Sequence, residues 1–215
     1  MGGQLLISKL VVEKKSGRIL GAQCVGPGDV SRQIAQWAMA IRGDLAVEDV
    51  VNADLPYAPP FSLAIDHGIM MAHIMQNKRK GRLKGISARE VKGRVDSGAP
   101  SFIIDCRSPE EYREMRLGLG EKLIPLPTLR DRLGELPEDK NAEIICYCRI
   151  SLRAYEASLI LEANGWKNVR VMEGGVVAWP YVTRDVAALT RFPFARPPSP
   201  LASVFLSHSA VLQQR

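Results

Sequence analysis

The chain has 215 residues, of which 46% are hydrophobic and 24% are charged. This length allows one large domain or two small ones, and the composition excludes a wholly disordered or fibrous protein. No uncharged apolar run approaches the ~20 residues that a membrane-spanning helix needs, and the N-terminus lacks the basic start of a signal peptide. We therefore expect a cytoplasmic globular protein that does not bind membranes.

The net charge of +6 is distributed unevenly along the chain. Residues 1–77 and 85–182 each carry a net charge of −1, whereas residues 78–84 carry +5 and residues 183–215 carry +3. Nucleic-acid binding is typical of a basic face on a folded domain, so this pattern predicts no nucleic-acid partner. We interpret the basic run 78–84 as a solvated linker; the alternative is an anion-binding strip for a phosphate-rich ligand such as coenzyme A.

Four cysteines lie at positions 24, 106, 146 and 148, and three histidines lie at 67, 73 and 208. No two cysteines have C-x-x-C spacing, so a structural zinc site is not expected and we predict no bound metal. Four scattered cysteines also give no disulfide framework, and they favour a reducing, cytoplasmic compartment. The open question is whether one of these thiols is reactive.

Residues 1–80 predict a small α+β unit. Two apolar runs, Leu5–Val12 and Arg18–Val25, are separated by a polar turn and predict a β-hairpin. Helical spacing of apolar residues follows over Val30–Ile41, and Gly43 ends that helix. Beyond it we expect a short helix near Val47–Val51, a rigid proline-containing segment over Leu55–Pro60, and a methionine-rich helix from Phe61 to about Gln76.

The turn Gly26–Pro27–Gly28 lies between a strand and a helix, as the phosphate-binding loop of a dinucleotide site does. Ser31 occupies the position of the third glycine of that motif, and Pro27 has no backbone donor. The preceding strand also belongs to a hairpin rather than to a βαβ unit. We therefore interpret this segment as an ordinary turn between a strand and a helix.

Residues 86–182 have a different pattern, in which strand and helix signals alternate. Capping boxes at Ser87–Glu90 and Ser108–Glu111 predict two helix starts. The other signals are strands at Phe102–Asp105, Glu143–Tyr147 and Val169–Met172, a strand end at Ile124–Pro127, and helices at Leu129–Leu136 and Ala154–Asn164. This alternation predicts an α/β fold with a parallel sheet and helices on both faces. In such folds the site lies where strand C-termini meet helix N-termini.

These signals divide the chain into four parts. A small α+β unit occupies residues 1–80, and a basic linker occupies residues 81–85. The α/β domain occupies residues 86–182, and a tail rich in proline and serine occupies residues 183–215. The tail shows no sustained periodicity, so we expect it to be extended or disordered.

Cys148 directly follows a predicted buried strand, and a predicted helix begins by Ala154. This placement puts a thiol in a strand-to-helix loop, where backbone N–H groups converge and the helix N-terminus adds about half a positive charge. Arg149 and Arg153 bring two further positive charges nearby. All of these effects favour the thiolate, which is the nucleophilic form of cysteine. The loop can then hold an anionic group bound to that sulfur.

Two chemistries use a thiolate in such a loop. Cysteine phosphatases have the spacing C-x5-R, commonly with histidine before the cysteine, whereas sulfurtransferases have a shorter loop that suits the smaller sulfane sulfur. Here Arg153 lies five positions after Cys148, which is C-x4-R spacing, and Tyr147 replaces the histidine. The spacing favours sulfur chemistry over phosphate chemistry. A buried, unreactive strand cysteine is the alternative interpretation of Cys148. We expect Cys24, Cys106 and Cys146 to be such core residues, with a resolving thiol as the alternative for Cys146.

Residues 86–182 resemble a single rhodanese domain. The matching segments, in chain order, are Ile104–Tyr112 (sequence IDCRSPEEY), Ile124–Leu126, the loop 148–153, and Val171–Gly175 followed by Trp179. The resemblance implies that Cys148 is the nucleophile that becomes a persulfide. It also implies that the loop stabilises this persulfide and attracts an anionic sulfur donor, through Arg149, Ile150, Ser151, Leu152 and Arg153.

Two departures from the rhodanese pattern concern the local backbone. Ser151 stands at the loop centre, where the family often has glycine, so a left-handed conformation there would carry a cost. The segment Arg116–Gly120 replaces the usual Gly-His-Ile before a strand. The resemblance further implies that Asp105 and Arg107 are mainly structural.

Residues 1–80 resemble part of the C-terminal dimerisation domain of pyridine nucleotide-disulfide oxidoreductases. The matching segments are Lys9–Val12, Ser16–Ala22 and Tyr57–Ser62. The order of the two modules is similar to that of coenzyme A-disulfide reductases with a fused rhodanese. This resemblance implies a homodimer and a substrate contact for Tyr57 in a reductase; a structural turn is the alternative. We predict no cofactor in this chain, and FAD, NAD(P)H and coenzyme A only where the missing reductase domains are present.

The leading hypothesis is therefore a sulfurtransferase that passes sulfane sulfur from a small anionic donor, such as thiosulfate, through a Cys148 persulfide to a thiol or to cyanide. The alternative is a dimerisation and persulfide-relay module that serves a flavin-dependent coenzyme A-disulfide or persulfide reductase and does not turn over by itself. A phosphatase is a third hypothesis, which the short loop disfavours. Because the flavin- and nucleotide-binding glycine motifs and the active-site cysteine region of such reductases are missing, we expect the chain to be a C-terminal fragment or a truncated natural relative.

Overall fold

A computed structural model describes residues 5–59, 64–99 and 101–181. Some predictions fall wholly or partly outside these ranges: the tail 183–215, the start of the helix predicted from Phe61, and the ends of the segments Leu55–Pro60 and Tyr57–Ser62. The chain divides into two compact units, with the boundary between Ile86 and Ser87.

The first unit contains a β-hairpin and three helices. Strands β1 (Ile7–Val12) and β2 (Ile19–Val25) pair antiparallel, with an irregularity between Val11 and Val12. The helices are α1 (Val30–Arg42), α2 (Val47–Val51) and α3 (His67–Arg79). The predicted hairpin, the helix ended by Gly43 and the short helix over Val47–Val51 are all confirmed.

The core of the first unit lies between the hairpin and the helices. Its buried apolar residues are Leu10, Ile19, Trp37, Ala40, Val47 and Ala72. Helix α1 contributes Gln33, Trp37 and Ala40 to its buried face, which is the i, i+4, i+7 spacing of one helix stripe. The apolar spacing in the sequence therefore predicted the helix but not its buried face: Ile34 and Ile41 of that pattern are exposed, and of its apolar residues Trp37 is buried.

Helix α3 begins at His67, and the described residues 64–66 before it are not helical, so the continuous helix predicted from Phe61 is wrong there. Asp66 has extended backbone geometry and its carboxylate accepts a hydrogen bond from the Gly68 N–H at 2.7 Å, which is an N-cap. The Asp66 carboxylate is itself buried, and it also pairs with Arg32 at 3.1 Å. The helix continues to Arg79, so the first two residues of the basic run, Lys78 and Arg79, are helical rather than part of a linker.

Gly26, in the turn between β2 and α1, is required by a close contact with the backbone. Gly26 has a φ of +148°, and a Cβ atom there would lie 2.2 Å from the carbonyl oxygen of Leu5. The glycine thus permits close contact with the backbone before β1. This contact supports the interpretation of an ordinary turn, because it accounts for the glycine without a phosphate group.

A five-stranded sheet is formed by the second unit and by Gly85–Ile86, the two residues directly before its boundary; the strand order is β3-β7-β6-β4-β5. Its strands are β3 (Gly85–Ile86), β4 (Phe102–Asp105), β5 (Lys122–Leu123), β6 (Ile144–Tyr147) and β7 (Val169–Met172). The pairs β4–β5, β4–β6 and β6–β7 are parallel. All four residues of the central strand β6 are buried, as expected for a strand that is covered on both faces. The predicted α/β fold with a parallel sheet is confirmed.

Helices connect these strands. They are α4 (Ala88–Asp96), α5 (Pro109–Glu114) and α6 (Leu152–Ala163), with 3₁₀ segments at Leu126–Glu135 and Gly175–Ala178. Both predicted capping boxes are present, at the starts of α4 and α5. Within the described ranges, every helix is too short or too polar to cross a bilayer.

Three predicted boundaries in this unit are wrong. Strand β5 ends at Leu123, before the predicted strand end at Ile124. The helix predicted from Leu129 is part of the longer 3₁₀ segment, which begins next to Pro125 and has a non-helical residue at Arg132. Prolines near the start remove backbone donors and favour this short, irregular winding. Helix α6 starts at Leu152, two residues earlier than predicted.

A buried ion pair closes the C-terminal end of β4. The Arg107 guanidinium donates to both carboxylate oxygens of Asp105, at 2.6–3.0 Å, and to the Met115 carbonyl at 2.6 Å. Both side chains are almost fully buried. The pair holds the chain after β4 against the end of α5, which agrees with the structural role implied for these two residues.

The change Asp105→Asn is expected to lower the free energy of unfolding by about 3–5 kcal/mol, because it leaves the Arg107 charge buried without its partner. A urea titration followed by circular dichroism measures this loss. The matched control is Glu110→Gln, since Glu110 pairs with Arg113 on the surface and exposed pairs contribute little. Equal midpoints for Asp105→Asn and the control would contradict the prediction.

Candidate active site

Cys148 lies immediately after the last residue of β6, at the C-terminal edge of the parallel sheet. Only 1% of the residue is exposed. Strand β6 has β4 on one side and β7 on the other, so the thiol stands at the centre of the edge where such sheets place their sites. The loop from Cys148 leads directly into α6, which begins at Leu152.

The loop turns sharply at Ser151. This residue has a φ of +81°, in the left-handed region that was expected there and that favours glycine. Its hydroxyl donates to the Met172 carbonyl at 2.8 Å. This bond ties the loop to the end of β7 and offsets part of the backbone cost at a non-glycine position.

Gly175 lies against the backbone of this loop. Gly175 has a φ of +56°, and a Cβ atom there would lie 2.2 Å from the Cys148 carbonyl oxygen. The following backbone binds the same loop: Val176 N–H donates to Cys148 O at 2.9 Å, and Val177 N–H donates to Arg149 O at 3.1 Å. The loop carbonyls are therefore bonded on this side. The sequence matched Gly175 to a family segment but did not predict this contact.

The N-terminus of α6 is open toward the loop. The first helical bond of α6 runs from the Tyr155 N–H to the Ser151 carbonyl at 2.9 Å. The N–H groups of Leu152, Arg153 and Ala154 precede that bond, so no intrahelical carbonyl is available to them. Such groups, together with the helix dipole, favour a negative charge at this end of the helix. The arrangement can stabilise an anion carried by the sulfur of Cys148.

Arg153 is held in place by Glu111, a contact that the sequence did not predict. The guanidinium donates to the two oxygens of the Glu111 carboxylate at 2.6 and 2.8 Å. These hydrogen bonds lower the pKa of the Glu111 carboxyl from 4.5 to about 2. They also raise the pKa of the Arg153 guanidinium, and negative charge on Cys148 acts in the same direction. Arg153 is thus a permanently charged group with a fixed orientation beside the thiol.

The other loop side chains face solvent. Arg149 is exposed and carries its charge at the rim of the site. Ile150 and Leu152 are exposed over 61% and 52% of their surface, respectively. The exposed surface of the loop is thus apolar at Ile150 and Leu152 and cationic at Arg149.

Tyr147, which replaces the histidine found before the cysteine of phosphatases, is a buried structural residue. Its hydroxyl donates to the Glu121 carboxylate at 3.1 Å. Burial is the main cause that raises the pKa of Tyr147 well above its ordinary value. Glu121 also accepts from the N–H groups of Gly118 and Leu119, at 3.0 and 2.6 Å. The glycine-rich segment that departs from the family pattern is therefore fixed by one buried carboxylate, which the sequence analysis missed.

Tyr57 belongs to the first unit, and 59% of its surface is exposed. Its segment continues into residues 60–63, which lie outside the described ranges. The substrate contact implied for Tyr57 in a reductase stays a prediction.

Comparison with known proteins gives each unit a family. Residues 87–180 match the rhodanese-like domain family, and residues 1–68 match the dimerisation domain of pyridine nucleotide-disulphide oxidoreductases. YtwF of Bacillus subtilis is 31% identical over 102 residues, a match that covers 45% of this chain and 90% of YtwF. The chain belongs to the rhodanese family. Its rhodanese domain is the second unit, with Cys148 at the sheet edge.

Two solved structures match both units of this rhodanese protein. Reduced CoADR-RHD of Bacillus anthracis has a TM-score of 0.75 and 33% identity over 82% of this chain, and an NAD-dependent persulfide reductase from A. fulgidus has a TM-score of 0.71 and 39% identity over 81%. The predicted similarity to reductases with a fused rhodanese is confirmed. The chain spans 30% of each of these two proteins, and 24–35% of the larger sulfurtransferase relatives that it matches.

Proposed function

We propose that the rhodanese domain transfers sulfane sulfur from a small anionic donor such as thiosulfate, through a Cys148 persulfide, to an acceptor thiol or to cyanide. The observation that carries this proposal is the position of Cys148: a buried thiol directly after β6, at the start of the short loop that leads into the N-terminus of α6. The match of residues 87–180 to the rhodanese-like family supports sulfurtransferase chemistry in general.

The first half-reaction is an attack of the Cys148 thiolate on the sulfane sulfur of thiosulfate. The electron pair of the thiolate forms the new S–S bond. The S–S bond of thiosulfate breaks, and sulfite leaves with its electron pair. Arg149 at the rim attracts the donor, and the free N–H groups of α6 stabilise the negative charge on the outer sulfur of the persulfide. In the second half-reaction the acceptor attacks that outer sulfur, and the Cys148 thiolate is regenerated.

The pairing of Arg153 favours this chemistry over phosphate hydrolysis. A phosphate ester needs a guanidinium whose planar fork is free to bind two phosphate oxygens. Here that fork is occupied by the Glu111 carboxylate. A sulfane sulfur needs no such fork, because a single charged sulfur atom is stabilised by the loop backbone and the helix dipole.

The direct test is the mass of the intact chain after incubation with thiosulfate. The proposal expects a gain of one sulfur atom, which peptide mapping places on Cys148, followed by loss of that sulfur when cyanide or a thiol is added. Thiocyanate produced in excess of the protein shows turnover. A chain that gains no sulfur, or that gains it on another cysteine, contradicts the proposal.

A second function is supported by the first unit. We propose that the dimerisation domain makes the chain a homodimer and that the rhodanese domain relays its persulfide to a flavin-dependent reductase. In that assembly FAD, NAD(P)H and coenzyme A would bind to reductase domains, and Tyr57 would contact the substrate. The match of both units to CoADR-RHD and to the persulfide reductase supports this proposal. It expects a dimeric mass by light scattering, and turnover that requires an added flavoprotein; a monomer with full turnover contradicts it.

Glu111→Gln is expected to lower kcat for sulfur transfer by about tenfold without raising KM for thiosulfate. Glutamine keeps the capping box with Ser108, but it removes the charge that orients Arg153. A hydrogen bond between charged groups is roughly twice as strong as one between neutral groups, so Arg153 is held less firmly. Steady-state assays with thiosulfate and cyanide measure both constants. The matched control is Glu90→Gln, which changes the corresponding residue of the capping box with Ser87. The prediction is wrong if the two variants lose activity equally.

The same pair predicts a pH dependence of stability. Because the pKa of Glu111 is lowered in the folded protein, from 4.5 to about 2, its contribution to stability is fully present above pH 4.5 and is lost as the pH falls toward 2. The difference in unfolding free energy between wild type and Glu111→Gln is therefore expected to be constant at neutral pH and to shrink in acid. Urea titrations at several pH values measure it, and a difference that grows in acid contradicts the assignment.

A further inference from the structure

Three of the four cysteines lie on one face of the sheet, beside each other. Residues Ile104 and Cys146 are partners in the parallel register of β4 and β6, and the next pair is Asp105 and Tyr147. Because side chains alternate between the two faces of a sheet, Cys106 shares a face with Ile104, and Cys148 shares that face with Cys146. A bond of 2.9 Å from the Cys106 N–H to the Tyr147 carbonyl continues the pairing by one residue. Cys106 therefore stands opposite Cys148.

The spacing of this pair suits a disulfide. Neighbouring strands lie about 4.7–4.9 Å apart, and disulfides join Cα atoms that are about 4.4–6.8 Å apart. Cys146 lies two register pairs deeper, opposite Ile104. Its Cα is therefore about 8 Å from that of Cys106 along the diagonal, from the strand spacing and two rises per residue. Such a distance is not bridged without backbone movement. Cys146 is two residues before Cys148 on the same chain segment, about 6.6 Å away, which is at the upper end of the disulfide range. Cys106, opposite Cys148, has the more favourable spacing.

We propose that Cys106 is the resolving thiol of the Cys148 persulfide. The Cys106 sulfur attacks the inner sulfur of the persulfide, which is the Cys148 Sγ atom. A Cys106–Cys148 disulfide forms, and the outer sulfur leaves with the electron pair of the broken S–S bond and the proton of Cys106, as hydrogen sulfide. Cys106 is oxidised and the sulfane sulfur is reduced, so no external oxidant is needed. This inference rests on the proposed sulfurtransferase function, which supplies the persulfide.

The surroundings of Cys106 make this step slow compared with transfer to an acceptor. The Cys106 thiol is almost fully buried. Interaction with the Cys146 thiol, burial, and the nearby Cys148 and Asp105 together raise the pKa of Cys106 well above its ordinary value. A protonated thiol is a poor nucleophile. An acceptor that reaches the exposed rim therefore takes the sulfur first, and the resolving reaction proceeds when acceptors are scarce, with release of sulfide and protection of Cys148 as a disulfide.

The experiment follows the full chain after it has been reduced, loaded with thiosulfate, and freed of donor and acceptor. Intact mass records the gain of one sulfur atom and then its loss together with two hydrogen atoms. We expect one sulfide released for each disulfide, a disulfide mapped to Cys106 and Cys148, recovery of the free thiols with dithiothreitol, and faster decay as the pH is raised. These measurements use wild-type protein and so do not depend on the folding of a variant.

Two variants complete the test. Cys106→Ser is expected to lengthen the lifetime of the persulfide by at least about tenfold, whereas the matched control Cys146→Ser still forms the Cys106–Cys148 disulfide. A persulfide that forms in wild type and persists, or that decays equally fast in Cys106→Ser, overturns the inference and leaves the proposed function standing. A chain that gains no sulfur overturns the proposed function and the resolving step with it.

Discussion

Replacement of Cys148 by serine is expected to abolish persulfide formation and to reduce sulfur transfer by at least about a thousandfold. The serine hydroxyl is not ionised near neutral pH and does not hold a sulfane sulfur, so the first half-reaction has no nucleophile. The change is nearly isosteric and lies at the end of β6, so the fold is expected to remain. Thiocyanate production from thiosulfate and cyanide, together with intact mass, measures the loss.

The control for this variant is Cys24→Ser, which changes the half-buried thiol of the first unit. We expect Cys24→Ser to keep the activity of wild type, since Cys24 contacts Ser8 in the hairpin and belongs to the other unit. Transfer that survives in Cys148→Ser, at a rate close to that of the control, would show that another group carries the sulfur.

The second large effect is expected at Gly175. An alanine there places a Cβ atom 2.2 Å from the Cys148 carbonyl oxygen and 2.7 Å from the carbonyl atoms of Arg149, at a φ of +56°. These are backbone atoms of the loop, so they have no flexible end that could turn away. We expect Gly175→Ala to lower the unfolding free energy by about 2–4 kcal/mol. Because the loop must shift to relieve the contact, sulfur transfer is expected to fall by about a hundredfold.

Gly93→Ala is the matched control for this prediction. Gly93 lies in α4, and an added Cβ atom would have no neighbour within 4 Å. In an exposed helix, alanine is more favourable than glycine by up to about 1 kcal/mol, so the control is expected to be stabilised and fully active. Urea titrations and steady-state assays of the two variants decide the outcome. Wild-type activity in Gly175→Ala would mean that the loop geometry does not matter for catalysis.

These contacts show how a short loop becomes a rigid site. Ser151 is bonded to Met172 at the end of β7, and Gly175 allows the backbone that follows β7 to bind the loop carbonyls. Glu111 holds Arg153 from the side of α5. Three separate elements therefore fix the loop, and none of them contributes the nucleophile. A preorganised loop of this kind stabilises developing charge without the cost of reorganisation during the reaction.

Part of the fold could be predicted from the sequence because its signals are local. The capping boxes at Ser87–Glu90 and Ser108–Glu111 act over three residues, and both mark helix starts in the structure. The strand Ile144–Tyr147 is a continuous apolar run, which is typical of the centre of a parallel sheet. Prediction failed where capping groups or prolines set the boundary or type of a helix. The Asp66 N-cap places the start of α3 at His67, and two prolines favour a 3₁₀ segment where a helix was predicted.

The sequence by itself determined that this chain has two near-neutral modules, that the second is an α/β domain of rhodanese type, and that one thiol follows its central strand. Only the tertiary structure decided what surrounds that thiol. Glu111 and Arg153 are 42 residues apart in the chain, and Cys106 meets Cys148 only through the register of two parallel strands. Periodicity and capping extend over a few residues, whereas such contacts depend on which strands pair and in which register, and packing of the whole domain sets both.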